Sequence, residues 1–144
     1  MKQLFLITIA IAGIVVFTQA QDIKAKAVPD VVKDALMKKY PEAAKVGWEK
    51  EKGNYEANWG GKSGEDMSVQ FTPAGQFVEQ TKAITAAELP DGVKTYIQSK
   101  YPKATIKEAG RIMLADGSTR YEAEIKGRDL LFDQSGGFIK AETE

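Results

Sequence analysis

The chain contains an internal repeat, and this repeat constrains the fold more than any other feature. Residues 28–41 read VPDVVKDALMKKYP and residues 89–102 read LPDGVKTYIQSKYP, so the two segments are identical at seven of fourteen positions. Apolar residues recur in each copy at a spacing of four, which places them on one face of a helix. The repeat therefore predicts two related units that each open with an amphipathic helix, on the positions Val32, Leu36 and Tyr40 and then Val93, Ile97 and Tyr101.

Prolines bound each predicted helix. Pro29 and Pro90 suit the first turn, where the N–H that proline lacks would have no partner within the helix. Pro41 and Pro102 disfavour helical geometry in the residue before them and cannot donate the next hydrogen bond. Two helices of about three turns are expected between these prolines.

The segments after both helices alternate between apolar and polar residues. The copies share YEANW with YEAEI, and FTPAGQFV with FDQSGGFI. A period of two predicts strands that are buried on one side only. The predicted fold class is α+β, with two tandem units that each combine a helix with a four-stranded antiparallel sheet. The first unit is assigned to residues 28–84 and the second to residues 85–144, joined at AITAAE (83–88). A unit of this size is marginal alone, so the two units are expected to pack together, and one possible arrangement aligns their sheets into one broad, curved surface.

The N-terminus has the pattern of a secretory signal peptide. Lys2 precedes an apolar run of about fourteen residues, too short to span a bilayer, and small or polar residues follow up to Ala20. Cleavage is expected after Ala20, which leaves residues 21–27 as a flexible leader. The mature protein is expected to be periplasmic or secreted, without a membrane span.

Composition narrows the function classes. The chain has no cysteine and no histidine, which excludes disulfides, cysteine nucleophiles, Ser-His-Asp triads and most zinc sites. One of the 20 basic residues, Lys2, leaves with the signal peptide, so 19 basic and 20 acidic residues remain. This balance provides no basic surface for nucleic acid. No catalytic residue, cofactor or metal is predicted.

The order and spacing of these motifs resemble the PepSY-like family of small exported bacterial domains. The resemblance lies in the opening LP..V...I...YP of residues 89–102, the strand YEAEI of residues 121–125, and the closing turn with Phe132, Asp133 and Gly136. The first copy has Val28 for Leu and Thr72 for Asp. The resemblance implies a fold similar to the β-lactamase-inhibitor protein, in which a concave sheet faces a protein partner. It also implies binding or inhibition of an exported enzyme, such as a peptidase.

Two sets of residues are candidates for partner binding. Trp48 has no aromatic counterpart in the second copy, which makes it a candidate interface anchor as well as a candidate core residue. The polar positions that alternate with the apolar ones form the other set: Glu56, Asn58, Gln70, Glu122 and Glu124. The remaining strand aromatics are assigned to the core, although they are also possible anchors: Tyr55, Trp59, Phe71, Tyr121 and Phe132.

The leading hypothesis is an exported, non-enzymatic protein-binding module that acts on another exported or envelope protein, as an inhibitor or a regulator. The alternative is an envelope protein that binds a small molecule or a cation on the acidic face of its sheet. A hydrolase that uses paired carboxylates, such as Glu122 with Glu124, is the third hypothesis.

Overall fold

The computed structural model describes residues 20–143. The predicted signal peptide, apart from Ala20, lies outside the described residues. Within residues 20–143, no helix has both the length and the apolar character needed to cross a bilayer.

The two predicted helices are present at the expected positions. Helix α1 spans Asp30–Lys39 and helix α2 spans Asp91–Lys100, each directly after a proline. The N–H of Tyr40 closes α1 on the carbonyl of Leu36, and the N–H of Tyr101 closes α2 in the same way on Ile97. The prediction that prolines bound the helices is confirmed. Short 3-10 turns at Ala25–Ala27 and Ala86–Glu88 lead into the helices.

The strands form one antiparallel sheet in which each strand pairs with the next in sequence. In chain order they are β1 Gln21–Ile23, β2 Gly47–Glu51, β3 Asn54–Trp59, β4 Met67–Phe71, β5 Phe77–Ile84, β6 Glu108–Leu114, β7 Thr119–Ile125, β8 Arg128–Asp133 and β9 Phe138–Thr143. The α+β class with antiparallel strands is confirmed.

The sheet differs from the prediction because it is one sheet of nine strands and not two sheets of four. Strand β5 pairs with β6 from Glu79 opposite Leu114 to Ile84 opposite Ala109. An exposed edge has unpaired N–H and C=O groups, and pairing two such edges satisfies both. The predicted junction at 83–88 is therefore partly strand, since Ala83 and Ile84 belong to β5.

The prediction of a flexible leader is also wrong. Residues 21–23 form strand β1 on the edge of β2, with Ile23 opposite Trp48. Ile23 packs against the first core cluster, so burial of its side chain and the hydrogen bonds of β2 order this segment.

Two apolar clusters form the core, one under each helix. In the first, Val32 and Leu36 of α1 pack on the sheet, and in the second, Val93 and Ile97 of α2 do the same. The predicted core aromatics confirm this arrangement: Tyr55, Trp59, Phe71 and Phe132 are buried, and Tyr121 is half-buried against the second cluster. Both helices therefore cover the same side of the sheet and leave the other side open.

The turn that closes each half packs closely on the start of the helix above it. Gly136 has a φ of 87°, and a Cβ there would lie 3.1 Å from Cα of Gly92. Gly75 has a φ of 79°, and a Cβ there would lie 2.8 Å from the carbonyl oxygen of Val31. Both positions require glycine for backbone conformation and for space. This contact fixes the height of each helix above the sheet.

Candidate functional site

The open side of the sheet forms a groove. In a flat sheet, β2 and β9 would lie about 34 Å apart, since neighbouring strands are separated by about 4.8 Å. Glu51 of β2 and Glu142 of β9 nevertheless line the same concavity, whose volume is about 450 Å³. The sheet is therefore strongly curled, with the groove on the side away from the helices.

Gly110 in the middle of β6 permits close packing at the centre of this curl. It lies opposite Glu122 of β7 and opposite Ala83 of β5. A Cβ at position 110 would lie 2.9 Å from Cγ2 of Thr81, which also lines the groove. Glycine inside a strand often marks such a close approach. A larger residue would push β5 and β6 apart at the point where the two halves of the sheet meet.

Charged side chains dominate the wall of the groove, with carboxylates in excess. Three cations line it, Lys52, Arg120 and Lys140, against six carboxylates: Glu51, Glu56, Glu79, Glu122, Asp129 and Glu142. Within residues 20–143, no group of three or more acidic side chains is arranged so that it could hold a metal ion. The groove is therefore a negatively charged surface that mixes both signs of charge.

Glu56 is held on the wall of the groove by hydrogen bonds to both of its carboxylate oxygens. Its Oε1 accepts a hydrogen bond from Ser68 Oγ at 2.6 Å, and its Oε2 accepts one from Gln70 Nε2 at 3.0 Å. Gln70 also donates to Glu51 Oε2 at 3.3 Å. These cross-strand bonds fix the Glu56 carboxylate in one position.

Glu122 has the opposite environment. The pKa of Glu122 is raised to about 7. Burial is the largest cause, and repulsion from the neighbouring carboxylates adds to it, in the order Asp129, Glu79, Glu142 and Glu51. Burial also raises the pKa of the Glu79 and Glu51 carboxyls, with Glu56 as the strongest repelling charge in both cases. A cation placed beside Glu122 would favour its ionised form and lower this pKa.

Aliphatic side chains form the floor of the groove. Ile112 is only 7% exposed although it points away from the helices, and it belongs to neither core cluster. Leu114 lies opposite Glu79, and Leu131 lies opposite Glu122, so each of these carboxylates has a leucine beside it. The groove thus combines an apolar floor with charged walls.

The structure brings three of the six predicted residues together in the groove: Glu56, Gln70 and Glu122. Asn58 lies on the same face, opposite Ser68, but does not line the groove. Glu124 lies beside the groove, where it lines a smaller depression of about 200 Å³. Its carboxylate is paired with Lys107 at 3.3 Å.

The structure places Trp48 on the other side of the sheet. Its neighbour across β3 is Ala57, and its side chain is only 7% exposed within the first core cluster. Trp48 is therefore a core residue and is not accessible to a partner. The physical reason is strand phase, because Trp48 shares its face with Ile23 and Ala57, which both point toward the helices.

Sequence reasoning missed the groove residues of β5 and β9. Glu79 and Lys140 both line the groove and are separated by the same 61 residues as the helices, within FVEQ and FIKA. These strands do not alternate clearly between apolar and polar residues, so their inward and outward positions were not assigned. The repeat itself was the signal that could have paired them.

Comparisons with known proteins agree with this architecture. The family model described as "Putative beta-lactamase-inhibitor-like, PepSY-like" matches residues 14–79 and again residues 62–140. No curated protein matches the chain in sequence.

Solved structures with the same fold come from Bacteroides species. A "putative periplasmic" protein from Bacteroides eggerthii is 22% identical with a TM-score of 0.69, and the match covers 81% of this chain and 88% of that one. A DUF2874 family protein from Bacteroides uniformis is 24% identical with a TM-score of 0.68, over 80% and 88% of the two chains. A BLIP-like protein from Bacteroides fragilis is 21% identical with a TM-score of 0.60, over 80% and 85%.

The description of the B. eggerthii protein agrees with the location expected from the signal peptide. The resemblance seen in the repeat motifs is confirmed, since the family model matches most of the chain in two copies. The protein belongs to the PepSY-like, β-lactamase-inhibitor-like family.

Proposed function

We propose that this protein is a non-enzymatic binding module, periplasmic or secreted, whose groove contacts another exported or envelope protein. The observation that carries the proposal is the groove itself: one curled sheet with an apolar floor at Ile112 and Leu131 and charged walls on both sides. Protein interfaces have this anatomy, with an apolar centre and a polar rim. Binding of this kind would inhibit or regulate the partner, for example an envelope peptidase.

The raised pKa of Glu122 does not by itself indicate catalysis. Burial and four neighbouring carboxylates account for it. Structural clusters of like charge perturb pKa values in the same way as active sites do. We therefore assign Glu122 to binding.

The proposal is tested by affinity capture from an envelope fraction with three forms of the full chain: wild type, Leu131→Lys and Ile139→Lys. Leu131 lines the groove, whereas Ile139 is 43% exposed on β9 and does not line it. The two variants carry the same change, so they separate an effect of the groove from an effect of added charge.

Wild type and Ile139→Lys are expected to recover the same protein, and Leu131→Lys is expected to lose it. Equal recovery by Leu131→Lys would move the contact away from the groove. Recovery of nothing above background by the wild type, over a range of salt concentrations, would contradict the proposal as a whole.

A small cationic molecule is the second candidate ligand. The groove volume of about 450 Å³ lies within the usual range for small-molecule sites. A ligand that binds only the folded state raises the melting temperature, so a thermal-shift screen of small amines separates this function from protein binding.

A further inference from the structure

The two residues that lie directly opposite Glu122 across the sheet offer its carboxylate neither a side-chain hydrogen-bond donor nor a cation. Its neighbours across the sheet are Gly110 on β6, which has no side chain, and Leu131 on β8, which is apolar. Among residues 20–143, no lysine or arginine lies within ion-pair distance of Glu122. Glu56, by contrast, accepts hydrogen bonds at both carboxylate oxygens.

Two of the three cations of the groove are paired with other carboxylates. Lys52 pairs with Glu51 at 3.8 Å, and Lys140 pairs with Glu142. Arg120 lowers the pKa of Glu79 against the stronger effect of burial. Six carboxylates and three cations line the groove, so an excess of negative charge surrounds Glu122.

The surroundings of Glu122 suit a long basic side chain. Leu131 lies directly beside it, and Ile112 belongs to the same floor. Lysine and arginine bury an aliphatic stem on apolar surface and keep the charged end in a polar place. A stem on this floor would bring its cation to the Glu122 carboxylate, and a small inorganic cation would leave the floor uncovered.

We propose that the groove takes a basic segment of the partner protein, with a lysine or arginine stem on Leu131 and Ile112 and its cation at Glu122. This rests on the proposed function and specifies the chemistry of the partner. The groove is lined from Lys52 after β2 to Glu142 on β9, so a bound segment would contact both halves of the sheet.

The test is a selection of disulfide-cyclised peptides, displayed on phage, against the immobilised full chain. Enriched peptides are expected to contain lysine or arginine next to an apolar residue. Their affinity is expected to fall about tenfold in Glu122→Gln, which keeps the shape of the side chain and removes the charge. Glu124→Gln is the matched control on the same face of β7, and it is expected to bind like the wild type.

The inference is overturned if no peptide is enriched, if enriched peptides lack a basic residue, or if they bind Glu122→Gln as tightly as the wild type. It is also overturned if spermidine raises the melting temperature in a Glu122-dependent way while no peptide binds, because the groove would then be a site for small cations.

The two proposals fail separately. A captured envelope protein that contacts the groove through a segment without lysine or arginine would contradict this inference and leave the proposed binding function intact. Basic peptides that bind through Glu122, with no envelope protein captured, would support the groove chemistry and contradict the proposed function.

Discussion

The two faces of the sheet are built from the same strands but differ in chemical character: one face is apolar and packs on the helices, and the other is charged and open. On the face that meets the helices, the buried residues of the described chain are all apolar. On the open face, alternate residues of the same strands carry six carboxylates around one groove. Tyr55 and Glu56, neighbours in β3, belong to different faces, as do Tyr121 and Glu122 in β7. Side chains that stabilise the fold and side chains proposed to bind a partner are thus one residue apart.

The faces also differ in the sign of their contribution to stability. Each apolar side chain buried under a helix favours folding by about 1.5–3 kcal/mol relative to an exposed one. Glu122 opposes folding when it is charged, since it lies in a partly buried position among other carboxylates. Substitutions at neighbouring or matched positions on the two faces should therefore differ in size and in sign.

The largest effect is expected from truncating the helix-side core. Phe132 is 0% exposed, so Phe132→Ala should cost about 3–5 kcal/mol of unfolding free energy. Leu131→Ala, one residue away on the open face, should cost about 1–2 kcal/mol because Leu131 is only half-buried. Urea unfolding followed by fluorescence of the buried Trp48 and Trp59 measures both. Equal losses would mean that the two faces are equally packed.

A second comparison concerns two glycine turns, of which only the turn at Gly136 contacts a helix. Gly136→Ala should cost about 2–4 kcal/mol, because it combines a positive φ with a close contact to Gly92. Gly127 has a φ of 74°, but a Cβ there would have no neighbour within 4 Å, so Gly127→Ala should cost only about 1 kcal/mol, from the left-handed backbone conformation alone. The difference between the two variants, measured by urea unfolding, isolates the contact between turn and helix. Equal losses in the two variants would mean that the contact between turn and helix does not help to position the helix.

On the open face, Glu122→Gln should stabilise the protein at high pH. The pKa of Glu122 rises from 4.5 to about 7 on folding, so the contribution of Glu122 to stability is most favourable below pH 4.5 and falls as the pH rises to about 7. Glutamine cannot ionise, so the variant should gain about 1–2 kcal/mol at pH 8, allowing for partial exposure, and nothing at pH 4. Melting temperatures at the two pH values give the result. A gain of the same size at pH 4 would assign the effect to packing.

The smallest effect is expected at Glu124, two residues further along the same face. Its partner Lys107 is half-exposed at 3.3 Å, and such surface pairs contribute little. Glu124→Gln should lose no more than about 0.5 kcal/mol at pH 7, and added salt should reduce even this loss. A stabilisation like that of Glu122→Gln would show that repulsion is spread over the whole face and is not centred in the groove.

Local patterns in the sequence predicted the parts of this fold that local physics determines. The positions of the prolines and the recurrence of apolar residues at every fourth position predicted both helices. The alternation of apolar and polar residues predicted that Glu56, Gln70 and Glu122 lie on the open face. The small size of each unit suggested that the two sheets could align, but no local pattern specified that β5 pairs with β6, because backbone groups form that pairing.

Two further features depended on long-range geometry. The curl of the sheet brings Glu51 and Glu142 to one groove although they lie on strands seven apart in the order of the sheet. The burial of Trp48 depends on Ile23 and the edge strand β1, a segment predicted to be flexible. Both features arise from contacts between strands that are distant in the sequence, which a local pattern does not describe.

The central claim is that the open face, and not the helix side, contacts the partner. Photo-crosslinking in the envelope fraction tests it most directly, with the photoreactive residue placed at Lys140 in one form and at Met37 in another. Both side chains are exposed; Lys140 lines the groove, and Met37 lies on α1 with 53% exposure. A defined crosslinked product from position 140 and none from position 37 is the predicted result. A product from position 37 alone would contradict the claim.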